Sequence, residues 1–289
     1  MQTIDHEGEW APSLLPEDMT VVGTEPLTGG MANAAWRVTL ADGRTVVVKG
    51  GRNNPDGFFD LEVESLQAVR EIGGLPTPEL FHIGPKSLVM AALKSEIPDS
   101  PQFWEAAARA VAGLHDHTGP RYGWHRDGML GRLVQENAWD DDGFRFFAER
   151  RVLRYLREPK VEEAFDAADR IALERLCARL PELVPEAPAA LTHGDLWRSN
   201  IIASLDDSPV FIDPSVSYTW PEVDISMLFC TGGVPDTFFD AYYELRPPVG
   251  DWRERMDLLN LRELLCIVAH FGDSWDAVSR IRAIVKRFS

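Results

Sequence analysis

The spacing of apolar positions changes once along the chain, and that change divides it. From about residue 20 to residue 93 the apolar residues alternate or gather in short valine-rich runs. Val21–Leu27 is one such run, Ala35-Trp36-Arg37-Val38-Thr39-Leu40 alternates, and Arg44–Lys49 is rich in valine. Asp42-Gly43 falls between the last two, which marks a hairpin. Phe58–Glu71 switches to helical spacing through Leu61, Leu66 and Val69, and Gly73-Gly74-Leu75-Pro76-Thr77-Pro78 stops it. Leu80–Ile83 and Leu88–Leu93 read as two further strands. An antiparallel sheet of five strands with one helix is therefore expected over residues 20–93, preceded by a Pro- and Glu-rich lead-in up to about Asp18.

Beyond Pro98 the pattern predicts helices. Ser100-Pro101 is an N-cap and first-turn pair for a helix running to about Asp116. Phe144–Leu156 and Glu162–Leu180 are amphipathic, and Pro181, Pro185 and Pro188 end that region. Ile201-Ile202-Ala203 and Val210-Phe211-Ile212 flank Asp206-Asp207-Ser208-Pro209 as a second hairpin. Helices are expected again at Pro221–Leu228, Asp236–Leu245, Asp251–Phe271 and Trp275–Phe288. The chain thus reads as an α+β, two-lobed protein, with a sheet lobe over residues 1–93 and a mainly helical lobe over 94–289.

Composition narrows the function classes. With 289 residues and 45% hydrophobic content the chain can bury a sizeable core. Against 46 Asp and Glu stand 29 Lys and Arg, a formal charge of −17 that repels phosphate backbones and anionic lipid. No nucleic-acid or membrane partner is expected. Cys177, Cys230 and Cys266 lie far apart in apolar runs, which points to buried free thiols. There is no basic N-terminal leader and no run of about 18 apolar residues, so the expected location is the cytoplasm.

The chemistry gathers around Thr192-His193-Gly194-Asp195-Leu196-Trp197-Arg198-Ser199-Asn200 and the Asp213 that ends the second hairpin. Phosphoryl transfer from ATP needs one carboxylate to orient a hydroxyl, here Asp195, and an amide plus a carboxylate for Mg²⁺, here Asn200 and Asp213. The sheet lobe offers the nucleotide's place. Gly29-Gly30-Met31 lies between two strands, where glycine amides can cover phosphates. Lys49 closes a valine strand as the nucleotide-binding lysine of kinases does, and Glu62 and Glu64 are both candidates to pair with it. Met90-Ala91-Ala92-Leu93 would run into a hinge whose backbone binds adenine. His193 reads as a brace for the loop, and Trp197 and Trp220 as residues near enough to stack on a substrate ring. Only a few residues separate Asp213 from Pro221, too few for a peptide-docking platform, so a small-molecule hydroxyl is the expected acceptor.

His193-Gly194-Asp195-Leu196-Trp197-x-x-Asn200, Ile212-Asp213-Pro214 and Glu222-Val223-Asp224 together resemble the fructosamine kinase (ketosamine-3-kinase) family, within the aminoglycoside-phosphotransferase-like and protein-kinase-like fold. Phe59-Asp60-Leu61-Glu62, Trp139 with Phe146-Phe147-x-Glu149-Arg150, and Leu264-Leu265 with His270-Phe271-Gly272 extend the similarity over nearly the whole chain. The resemblance implies ATP-dependent phosphorylation of a ketoamine's sugar hydroxyl, with Mg²⁺ as the metal; a monomer is the expected state. The resemblance also selects Glu62 over Glu64, takes Asp195 as the base, and gives Asn200 and Asp213 to the metal. Two departures stand out. Thr219-Trp220-Pro221-Glu222 replaces the family's Gly-His-Arg-Glu, a stretch expected beside the acceptor, so Trp220 and Glu222 join Trp197 as candidate substrate residues. Met31 stands where several members carry Cys, so no thiol switch is expected there. The competing readings are a kinase for an aminoglycoside, amino alcohol or simple sugar, and a nucleotide-binding regulator without activity.

Overall fold

Period-two alternation sends the two faces of the sheet to different partners. In the computed structural model, which describes residues 10–27, 34–50, 58–94 and 96–289, five strands pair antiparallel throughout in the order β1-β2-β3-β5-β4. They are β1 Val21–Leu27, β2 Ala34–Leu40, β3 Thr45–Gly50, β4 Leu80–Ile83 and β5 Ser87–Ala91. Trp36, Val38, Leu40, Val46, Val48 and Val89 form one buried layer, covered by Trp10, Leu14, Leu15 and Met19 from the lead-in. On the other face Leu88 and Met90, with Val47, pack against Phe59, Val63 and Leu66 of the helix Phe58–Glu71. Lys49 belongs to this helix-facing side, two residues on from Val47. Alternation alone therefore aims its ammonium at the helix and away from the lead-in.

The larger core lies in the helical part. Ser100 caps the helix Pro101–His115 by accepting from the Phe103 N–H at 3.2 Å, and Pro101 takes the first turn, where a missing N–H costs nothing. Trp104 of this helix is wholly buried, with its indole N–H donating to Asp99 at 2.7 Å. A buried indole removes roughly 200 Å² from water, worth about 5 kcal/mol before the entropy of ordering it.

Three expected helices are broken, two of them where a polar side chain is satisfied. Phe144–Leu156 was expected as one helix. It is instead a short α-turn over Gly143–Phe146, a π-helix over Phe147–Val152 and a 3₁₀ turn over Leu153–Arg157. The wider winding delivers the buried Arg151 guanidinium to the Glu136 carbonyl, Asn137 Oδ1 and Ser217 Oγ. Glu162–Leu180 divides into Pro159–Ala164 and Ala167–Ala178, because Asp166 and Asp169 form a reciprocal capping box that begins a new helix. Asp251–Phe271 divides at Asn260 into Arg253–Leu259 and Leu261–Phe271.

Three short two-stranded pairs complete the frame. Ile201–Ala203 with Pro209–Phe211 is the expected hairpin. Ala190–Thr192 with Ser217–Thr219, and Gly128–Leu130 with Leu133–Gln135, are too short to show a period in sequence. Among the described residues no helix is long and apolar enough to cross a membrane. The three cysteines are unpaired; Cys177 and Cys266 are buried, and Cys230 is half-buried with its thiol toward Asp257 at 3.8 Å.

Candidate active site

Lys49 is the bridge between the sheet and the second hairpin. Its ammonium donates to Glu62 Oε1 at 2.6 Å and, across 164 positions of chain, to Asp213 Oδ1. Burial alone would push this ammonium's pKa down, but the two carboxylates hold it well above the ordinary lysine range. Helical phase explains why Glu62 is the partner. It lies three residues from Phe59 and beside Val63, on the stripe that faces the sheet. Glu64 points elsewhere and accepts from Trp124 Nε1 at 2.7 Å, with His125 Nε2 at 3.0 Å.

The loop carrying Asp195 is held from three sides. Asp224, buried at the start of the helix Glu222–Thr231, accepts from the backbone N–H of His193 at 2.7 Å and of Gly194 at 2.9 Å. His115 Nε2 reaches the same carboxylate at 3.1 Å, and Tyr242 Oη lies 2.7 Å from His115 Nδ1. From the opposite side, Arg262 donates to the Gly194 carbonyl and to Gln135 Oε1, while Gln135 Nε2 donates to the Ser215 carbonyl at 2.9 Å. His193 joins the loop to the hairpin. Its Nδ1 accepts from the Asp195 N–H at 3.3 Å, and its Nε2 faces the Ile212 carbonyl at 3.0 Å. That pattern requires a neutral ring protonated on Nε2, and burial lowers the His193 pKa in the same sense. The brace expected of His193 is what the geometry provides.

Asn200 spends its amide N–H groups on Asp195, on the carbonyl at 2.7 Å and on the carboxylate at 3.2 Å. Its side-chain oxygen is thereby left as an acceptor. Asp213 sits at φ +58°, a left-handed conformation costly for a residue with a Cβ. It is held there by Lys49 and by the neighbouring bonds Ile212 N–H to the Asn200 carbonyl and Ser215 N–H to the His193 carbonyl. Such strain, fixed by surrounding bonds, accompanies functional sites. Burial first, then the nearby Glu263 and Asp213 charges, push the Asp195 carboxyl up to about 8, against the pull of Arg262 and Asn200.

Lys49, Glu62, Asp195, Asn200, Asp213 and Glu263 line one cavity together with Trp197, Met129, Pro214, Cys266, Ile267 and His270. Glu263, Cys266, Ile267 and His270 form one face of the helix Leu261–Phe271, at i, i+3, i+4 and i+7.

Not every expected site residue meets here. Gly29, Gly30 and Met31 lie outside the described residues. Met90 and Ala91 are ladder residues of β5, paired with Val47 and Val46, and Met90 is buried against the helix Phe58–Glu71. Only Ala92 and Leu93 stand beyond the strand end, and the Leu93 carbonyl already accepts from Arg37 Nη2 at 3.1 Å. None of these four lines the cavity. Trp220 corrects an expectation. It is 2% exposed, stacked on Phe147 at 5.3 Å and edge-on to Phe144 at 5.2 Å, so its ring fills core and presents no face to a substrate. Glu222 is likewise taken up by a two-pronged pair with Arg255 and does not line the cavity. Asp224, Arg262 and Glu263 were missed as site residues. The available signal was an Arg-Glu pair interrupting the apolar run Leu258–Val268.

Gly194 offers a test of how tightly the loop is fitted. Its φ is +79°, and a Cβ placed there would lie 1.9 Å from the Ser215 carbonyl oxygen. Gly194→Ala is expected to lose roughly 3 kcal/mol or more in urea unfolding, from backbone strain and displacement of the loop. Turnover should fall with it.

The profile of the fructosamine kinase family matches residues 8–287. A Thermus thermophilus protein named "Probable ketoamine kinase" is 33% identical over 261 residues, 88% of this chain and 92% of that one. A chloroplastic protein-ribulosamine 3-kinase of Oryza sativa subsp. indica is 26% identical over 264 residues, 88% of this chain and 76% of its own. Among solved structures, one from Thermobifida fusca, provisionally named a fructosamine-3-kinase, superposes with a TM-score of 0.82 at 30% identity, covering 93% of this chain and 95% of that one. An aminoglycoside phosphotransferase crystallised with ADP and hygromycin B gives 0.59 at 16% identity over 92% of this chain and 94% of its own, a likeness of fold alone.

Proposed function

The chain belongs to the fructosamine kinase family, and from that premise we propose that it transfers the terminal phosphoryl group of ATP to a sugar hydroxyl of a ketoamine, an amine carried on a 1-deoxyketose. The observation that carries this reading is the Lys49 bridge. One ammonium joins Glu62 and Asp213 at the wall of the cavity that also holds Asp195 and Asn200. In this reading residues 1–93 serve the nucleotide, and residues 94–289 supply the base and the acceptor pocket. Lys49 binds the phosphates of ATP, with Glu62 fixing its position. Gly29, Gly30 and Met31 serve those phosphates, and adenine lies at the strand end near Ala92 and Leu93.

Asp195 accepts the proton of the attacking hydroxyl, and Trp197 offers the sugar an apolar wall. The donor set suits a hard cation: among the described residues the side-chain oxygen of Asn200 has no hydrogen-bond partner, and Asp213 has a second carboxylate oxygen beyond the one given to Lys49. Asn200 and Asp213 would hold Mg²⁺. Bound there, the ion would neutralise charge on the transferring phosphoryl group.

The test is ADP release with Mg²⁺ and ATP over a panel of ribulosamine, fructosamine, erythrulosamine, aminoglycosides and choline. Turnover confined to ketoamines is the expected result. Turnover of an aminoglycoside or choline alone would replace the acceptor class, and nucleotide binding without turnover of any would replace the enzyme by a regulator.

A further inference from the structure

Among the described residues, four carboxylates and one lysine line the cavity. Three of the carboxylates have donors: Glu62 and Asp213 share Lys49, and Asp195 receives Asn200. Glu263 does not. Its Oε2 is buried without a hydrogen-bond partner among the described residues, on a residue only 9% exposed. The nearest cation, Arg262 Nη1, stands 3.8 Å away, beyond hydrogen-bond reach. The other terminal nitrogen of that guanidinium serves Gln135 and the Gly194 carbonyl. A buried carboxylate oxygen with no donor is costly, and at the wall of a binding cavity the economical account is a donor that arrives with the substrate.

Resting on the ketoamine kinase reading, we propose that Glu263 receives the substrate's secondary ammonium and sets the preference for amine-bearing sugars over neutral ones. The nucleotide's phosphates are not this donor, because they are anionic and would be repelled. Substrate dimensions agree. The amine is attached to C1, so if the reacting hydroxyl is the one on C3, four bonds separate the nitrogen from the reacting oxygen, a span of at most about 5 Å. A receiver for that nitrogen must therefore lie beside the base, and Glu263 lines the same cavity as Asp195. Glu263 is also presented by a helix and not by a loop, with Cys266, Ile267 and His270 on the same face. His270 is itself fixed, its Nδ1 2.9 Å from the Cys266 carbonyl and its Nε2 accepting from the Arg132 N–H at 3.1 Å.

The experiment compares two acceptors of like size that differ only at the amine, 1-methylamino-1-deoxyribulose and its ether counterpart 1-O-methylribulose, each with Mg²⁺ and ATP. Wild-type protein should favour the amine. In Glu263→Gln the ratio of the two kcat/KM values should fall by about 10- to 100-fold, the scale of one charge-assisted hydrogen bond, mainly through KM of the amine. A ratio taken within one preparation is independent of the fraction of active protein. If Glu263→Gln yields no folded protein, Glu263→Asp decides by the same ratio, since its carboxylate is drawn back by about 1.5 Å. Equal loss on both acceptors would mean that Glu263 is only a counter-ion for Arg262, and an unchanged ratio would equally overturn the proposal while leaving the kinase reading intact. Wild-type protein that phosphorylates neither acceptor would overturn the reading itself.

Discussion

Asp195→Asn is expected to lower kcat by about 10³-fold while ATP affinity, measured by calorimetry, stays within a few-fold of wild type. Removal of a general base has this scale, and Lys49, Glu62 and Asp213 keep their own bonds when Asp195 changes. The substitution is isosteric, and an amide oxygen can still accept from Asn200 Nδ2. Near-normal kcat would remove Asp195 from the role of base. Loss of ATP binding in parallel would mean that the loop had been displaced.

The same variant should alter the pH dependence of stability in the ligand-free protein. In the folded state burial and the Glu263 charge raise the Asp195 carboxyl to about 8, from an ordinary value of 3.8. Between those values the folded protein holds a proton that the unfolded chain has released, so this group's contribution to stability falls as pH rises from roughly 4 through 8. Asparagine holds no titrating proton there and removes that slope. Thermal melts at pH 5 and pH 8 should therefore show wild type losing more over the interval than Asp195→Asn. Parallel losses would mean that Asp195 is not strained in the folded state.

Much of this site was legible because periodicity and chemistry coincide in it. Lys49 ends a run of valines whose alternation decides which face it takes, and Glu62 sits on the stripe of its helix that meets that face. The Asp195–Asn200 spacing and the hairpin ending at Asp213 are likewise local. What stayed hidden was set by tertiary packing. Trp220 follows a loop in sequence and looks available to a substrate, yet Phe144 and Phe147 enclose it only because the chain turns into the π-helix Phe147–Val152. Glu263 and Arg262 read as an interruption of an apolar helix. Their meaning depends on Gly194 and Gln135, which are 68 and 127 positions away from Arg262. Short strands such as Ala190–Thr192 have no period to read, although that strand delivers the loop.

Asp224→Ala is expected to be the most destabilising single change in the site, by roughly 3–5 kcal/mol in urea unfolding, with turnover lost at temperatures where the variant still melts cooperatively. The carboxylate satisfies three donors at once: the backbone N–H groups of His193 and Gly194, and His115 Nε2. Each buried donor left without an acceptor costs about 1–3 kcal/mol, and the three are not additive because the loop relaxes. Asp224→Asn separates charge from shape. Its amide can face one backbone N–H with oxygen, but must then turn its own NH₂ toward another donor, so it should recover only part of the loss. The pH dependence runs opposite to that of Asp195. Burial alone would raise the Asp224 pKa, but the His115 hydrogen bond and the Gly194 N–H hold it below the ordinary carboxylate value. Its stabilisation is thus fully present above the ordinary carboxylate range and is lost as pH falls through the folded value. Wild type and Asp224→Ala should converge in stability on acidification and separate again at neutral pH. A gap that persists unchanged into acid would assign the loss to packing and not to the bonds this carboxylate makes to the loop.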